Sequence, residues 1–234
     1  MRYQAKNISD YKRGAEILYA LYAAKKYGIE SISKVAIQKI LYLSTALAPI
    51  KHLAIELKKF IAHYRGPYNA DLQNTLDHLV GSNYVSIVSY QKYSNKILVD
   101  YSISSSGERV VENLLERSSE DEKNWWITAI VRLIIINIPE IDERSDWKGF
   151  DKVVEIVYAE PTFNAYLKDK GKNRQLIDFN NYRKSEELIE YAKTLIKGRE
   201  NEFQGLSERR IAELILISFF DFLIIKYQQS LELN

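Results

Sequence analysis

The chain contains no cysteine, which removes disulfide frameworks, thiolate metal sites and cysteine nucleophiles in one stroke. That usage suits a reducing compartment, so a cytoplasmic protein is the expectation. Proline and glycine are scarce, four and nine among 234 residues. No Gly/Ser linker, low-complexity tract or fixed-period repeat appears, and an ordered chain is expected away from the termini. Long apolar runs are also missing. The two strongest, Trp125–Ile138 and Ile211–Ile225, fall short of the roughly 20 residues that span a bilayer. Each carries charge, Arg132 in the first and Glu213 with Asp221 in the second. Both read as buried helices, and no membrane partner is expected. The opening stretch MRYQAKNISDYKRG lacks the apolar segment of a secretory signal.

What is present is 46% apolar and 27% charged residues, enough for a real core in one large domain or two small ones. The net charge is only +2, too little to mark a nucleic-acid binder by composition. Its distribution is uneven. Residues 1–117 hold 16 Lys and Arg against 10 Asp and Glu, whereas residues 118–234 hold 17 against 21. A basic front and an acidic back suggest two surfaces with different jobs.

The pattern of elements divides at the same place. Ser9 or Asp10 opens a helix stopped by Gly28; Ser31 or Ser33 opens a second that Pro49 ends. A short helical piece and a brief strand near Phe60–Tyr64 are expected next. Gly66-Pro67 makes a turn, Asn69 or Asp71 caps a third helix, and Leu72, Leu76, Leu79 and Val80 form its inward stripe before Gly81. YVSIVSY and NKILVDYSI read as a hairpin joined by QKYSN, and SSSGERVVENLLERSS as a further capped helix. Helix, helix, helix, hairpin, helix is the order of a winged helix-turn-helix unit. The expected fold is therefore mainly α with a small β-hairpin: a winged helix-turn-helix domain over 1–117, then an all-α interaction domain over 118–234. Helices are expected in the second half at about 121–137, 147–158, 182–198 and 207–230.

Catalytic constellations are missing. His52, His63 and His78 stand without metal-ligand spacing. Glu56–Lys58, Asp121–Lys123 and Asp146–Lys148 match an acid-x-Lys nuclease fragment, but such tripeptides arise by chance in a charged chain and read as solvated helix faces. No phosphate-binding glycine loop, dinucleotide fingerprint or serine elbow is found. Trp125-Trp126 suits one ring in the core and one at an interface better than a base-stacking platform. No enzyme, cofactor or metal is expected.

Lys34–Leu115 resembles a loose superfamily of small bacterial winged-helix proteins. The resemblance rests on Lys39–Leu43 (KILYL), Gly66-Pro67-Tyr68, Leu72, Leu76, Leu79 and Gly107, with Tyr101-Ser102-Ile103-Ser104 where the pattern has Y-x-L-T. The superfamily includes Panacea-type antitoxins and the middle components of ABC-three-component defence systems, of which Lamassu is one. The chain's size and helical tail are more similar to the middle components. Two partners are implied, an SMC/Rad50-like ATPase and an effector nuclease. The match covers about a third of the chain.

A winged helix that reads DNA needs cations, yet Asn69–Asn83 has no Lys or Arg and carries Asp71 and Asp77. Gln73 and Asn74 face outward and suit adenine, while Lys58, Lys59, Arg65, Lys92 and Lys96 are the nearby cations. They would support weak, non-specific contact with double-stranded DNA. For protein contact the candidates are Trp125, Trp126, Phe219, Phe220 and Phe222. An accessory subunit bridging ATPase and nuclease is the leading expectation; a stand-alone DNA-binding regulator or antitoxin is the alternative.

Overall fold

In the computed structural model, the structure describes residues 8–57, 59–63, 66–93, 96–137 and 200–232, with residues 157, 160, 163, 176, 190, 194 and 197. The described chain is mostly helical with a small antiparallel sheet. Helix α1 spans Ile8–Lys26 and α2 Lys34–Leu47, and a 3-10 turn at Ala48–Lys51 follows around Pro49. The short strands β2 (Ile61–His63) and β3 (Gly66–Tyr68) then lead to α3, Ala70–Gly81. The strands β4 (Val85–Tyr93) and β5 (Lys96–Ile103) form the hairpin, and α4 (Ser105–Leu115) follows it. Helix α5 covers Ser118–Ile136, a short α6 Glu200–Phe203, and α7 Glu208–Glu232.

The starts of α2, α3 and α4 are set by side-chain caps. Ser33 accepts a hydrogen bond from Ala36 N at 3.2 Å, Asn69 from Leu72 N at 3.1 Å, and Ser104 from Gly107 N at 3.1 Å. Each side-chain oxygen satisfies an orphan donor of a first turn. Gly28 ends α1 with φ 81, a left-handed conformation that glycine adopts without strain. At the end of α3 the left-handed residue is Asn83, φ 62, two positions beyond Gly81.

Two extra strands and a longer hairpin depart from the sequence expectation. Ile32–Ser33 forms β1 and pairs with Tyr101 and Asp100, so the three-stranded sheet runs β1-β5-β4. Gly66–Tyr68 is not only a turn but pairs antiparallel with Ile61–His63. Strand β4 continues through Tyr93, into residues expected to turn, and its register shifts between Ile87 and Ser89. No helix forms over Leu53–Leu57. The expected helices at 147–158 and 182–198 lie almost wholly outside the described residues.

One apolar cluster joins the elements, from Ala15 on α1 to Leu223 on α7. The boundary expected at 117/118 therefore falls between two helices, α4 and α5, that both feed the same core. Trp126 on α5 is buried and donates its indole N–H to Ser44 O at 2.9 Å, tying α5 to α2. Tyr19 on α1 donates to Glu120 Oε2 at 2.8 Å. The aromatic body goes into the core while its polar tip finds a partner.

The tightest approach is at Gly107. A Cβ there would stand 2.2 Å from Tyr84 O and 2.8 Å from Ile103 Cγ1. Tyr84 O is held by Ser104 N at 3.0 Å, so it has no room to retreat. Gly107→Ala is expected to destabilise the fold by about 1–3 kcal/mol through this overlap, read as a lower denaturant midpoint; an unchanged midpoint would show that the turn yields freely.

Candidate functional site

The outward face of α3 and the adjoining hairpin are where a winged helix would meet a partner, and their placement begins on α2. Helix α2 buries two long polar side chains, Gln38 and Lys39, among its apolar residues. Buried amides and amines must find partners, and these find theirs in the segment before α3. Gln38 donates to Asn69 O and accepts from Asn69 N, each at 2.9 Å. Lys39 Nζ donates to Pro67 O at 2.7 Å. Thus α2 grips the residues that cap α3, and the helix leaves in a set direction.

With Leu72, Leu76 and Leu79 buried, α3 turns Asn74, Asp77 and His78 to solvent, and Gln73 is half-buried. Gln73 does not stand free to read a base, because its Nε2 donates to Asp77 Oδ1 at 2.6 Å. The buried Tyr101 phenol lies by the same turn. Burial raises its pKa first and the charge of Asp77 adds, while a hydrogen bond with Gln73 opposes them. Asp71 draws Arg13 to 3.8 Å and Lys59 to 3.9 Å. Arg13 also donates to Ser9 at 3.1 Å and pairs with Asp10. Two basic groups near α3 are therefore turned toward its own carboxylate.

Of the remaining cations, Lys92 is exposed near the hairpin end. Lys96 lies on β5, its side chain outside the described set, and Lys58 and Arg65 lie outside the described residues. His63 stacks against Tyr68, ring centroids 5.4 Å apart. Among the described residues no group of three or more His, Asp or Glu is arranged to hold a metal ion.

The aromatic candidates separate. Trp126, Phe219 and Phe220 are buried in the chain's own core and offer no surface to a partner, a correction to their reading as interface residues. The reason is that one face of α7, with Ala212, Leu216, Phe219, Phe220 and Leu223, packs into the core that α5 shares. Trp125 and Phe222 keep partial exposure. The guanidinium of Arg209 sits 5.7 Å from the Trp125 ring centroid and also binds Asp121 and, at 2.7 Å, Glu122. The acid-x-Lys fragments are dispersed as well. Asp121 faces Arg209, Lys123 pairs with Glu120 at 2.9 Å, and Glu56 accepts from Ser9. Asp146 and Lys148 lie outside the described residues.

Sequence reasoning passed over a set of buried charges. Glu16, in the middle of α1, is fully buried and accepts backbone N–H groups of Glu56 at 2.6 Å and Leu57 at 3.0 Å. Burial pushes its carboxyl up to about 7, against the pull of those two donors and of Lys123. Burial alone pulls the Lys39 amine down to about 7. Glu160 is buried too, and its Oε2 accepts from Tyr42 Oη at 2.7 Å and Phe163 N at 3.0 Å. The only mark these residues leave in the sequence is a charge inside an apolar stripe, as in AEILYAL and VAIQKILYL.

No protein-family model matches the chain, and no curated protein does.

The two shifted groups give stability a shaped pH dependence. Glu16 is raised from 4.5, so its contribution is fully present below pH 4.5 and is lost as pH rises through about 7. Lys39 is lowered from 10.5, so its contribution is present above pH 10.5 and lost as pH falls through about 7. Their sum is least favourable near pH 7. Glu16→Gln should flatten the acid-side limb and Lys39→Met the alkaline limb, each by a few kcal/mol on the order of the shift. Denaturant unfolding across the two windows reads this; limbs identical to wild type in both variants would contradict it.

Proposed function

We propose that the chain is a non-enzymatic accessory subunit of a bacterial antiphage defence complex, its middle component, bridging an SMC/Rad50-like ATPase and an effector nuclease in the cytoplasm. On this reading residues 1–117 are a winged helix-turn-helix domain, with α3 in the recognition position and β4–β5 as the wing. The later helices, α5 and α7 among them, form the interaction half.

The residues of the resemblance support this reading, because the separated parts of the motif touch. Lys39 of KILYL holds the carbonyl of Pro67 in Gly66-Pro67-Tyr68, and Gly107 lies against the start of the hairpin. The observation that favours protein over DNA as partner is the face of α3. It presents Asn74, Asp77 and His78, while Arg13 and Lys59 turn to Asp71. Phosphate contact needs cations aimed outward. A protein surface does not, and there an acidic, polar helix is an ordinary docking element. Among the described residues no helix is long and apolar enough to cross a membrane.

Affinity capture of the tagged chain from its native bacterium should bring down a large coiled-coil ATPase and a nuclease, identified by mass spectrometry. Capture without any ATPase would overturn the proposal. Salt-dependent duplex binding by the isolated chain, abolished by Lys92→Glu with Lys96→Glu, would favour the regulator instead. Metal-dependent DNA cleavage that survives purification and disappears on Asp121→Ala would refute a non-enzymatic role.

A further inference from the structure

The outer edge of β4 has no strand beside it among the described residues, since the sheet runs β1-β5-β4. An edge strand leaves a row of backbone donors and acceptors open to another extended chain, and natural proteins usually blunt it with charge, proline or short length. Strand β4 is nine residues long, VSIVSYQKY, against a usual length of about 5–6. It has no proline, and Lys92 near its end is its one charge.

The register places large apolar side chains at the surface. Ile87 pairs with Tyr101 and Tyr90 with Val99, and Tyr101 and Val99 share a face because they are two apart. Tyr101 is buried, so this is the face turned to the core. The bulge between Ile87 and Ser89 adds Val88 to the same face, two residues from Tyr90. Yet Ile87, Val88 and Tyr90 are 51%, 57% and 61% exposed. The core-facing side of the hairpin reaches past the core that it should cover.

We propose that the edge of β4 pairs with β4 of a second copy of this chain, antiparallel about a two-fold axis at Ser89, joining three strands from each copy into one sheet. Charge and register select this occupant. With Ser89 opposite its own copy, Val88 meets Tyr90 of the other chain, and Tyr90 meets Val88. These are aromatic and β-branched cross-strand pairs of a stabilising kind. Lys92 falls opposite Ser86, so the only charges on the two edges never face each other. A two-fold axis perpendicular to the sheet keeps both helical bodies on one side. The exposed Ile87, Val88 and Tyr90 of both copies then gather between those bodies, out of water. The contact is isologous and closes on itself, ending growth at two. It does not depend on the function proposed above.

The absence of cysteine supplies a direct test. Residues directly opposite in an antiparallel pair lie about 4.5–5.5 Å apart at Cα, within disulfide range. Ser89→Cys, carrying the chain's single thiol, should oxidise to a covalent dimer, whereas Ser86→Cys should remain mostly uncrosslinked. Equal crosslinking of the two variants would overturn the register. In sedimentation of the unmodified chain, a species of twice 27.3 kDa should grow with concentration, and a monomer throughout would overturn the dimer. Val88→Lys with Tyr90→Lys should leave the helical circular dichroism intact and remove the dimer; a dimer that persists in this variant would place the contact elsewhere.

Discussion

Two long polar side chains buried on α2, Gln38 and Lys39, have no water to turn to, and the Pro67–Asn69 backbone is what answers them. A buried amide that both donates and accepts on one residue fixes the spacing and direction of that residue at once. Because Asn69 also caps α3, the constraint passes from α2 into the helix that follows. The leucine stripe of α3 then settles against α1 at Gly14, where an added Cβ would stand 3.7 Å from Leu79 Cδ2 and 3.9 Å from Thr75 Cγ2, ordinary van der Waals contact. Position, cap and packing are three consequences of one pair of residues.

A second pin acts from the other side. Glu16 holds the Glu56–Leu57 backbone against α1, and that stretch has no regular secondary structure of its own. Apolar burial alone would leave it several placements, since hydrophobic contact has no direction. A carboxylate receiving two N–H groups admits one. Desolvation makes such groups costly, as the shifted Glu16 and Lys39 indicate. What they provide is a single arrangement of loops around the helices, which fits the use of buried polar groups as registry devices.

How far the sequence could be read depends on whether a residue's partner is local. Asn69, Ser33 and Ser104 announce themselves as caps because the group they bind lies three residues away. The Leu72, Leu76 and Leu79 stripe is equally plain. Glu16 and Lys39 were not legible as pins, since their partners are backbone atoms about 40 and 28 positions distant and any residue type could supply those. Trp126, Phe219 and Phe220 mislead for a related reason. An apolar helix is the same sequence whether its cover comes from its own chain or another, and only the packing of α5 on α7 decides. Trp125 escapes because Arg209 occupies its ring at the surface. The overhang of β4 was hidden by the polar QKYSN stretch, whose residues extend the ladder before the chain turns.

The close fit at Gly107 carries a mechanical meaning. Ser104 grips the carbonyls of Asn83 and Tyr84, and Gly107 lets α4 seat directly on that turn. Helix α4 is followed almost at once by α5, whose Trp126 is anchored to α2 and whose Arg132 and Asp121 are bonded to α7. The hairpin is therefore the short arm of a lever, with α4 as its shoulder and α5 as its beam. Only Ser104 separates β5 from α4, and only Glu116 and Arg117 separate α4 from α5, so a displacement of the hairpin meets no long loop that could absorb it before α5.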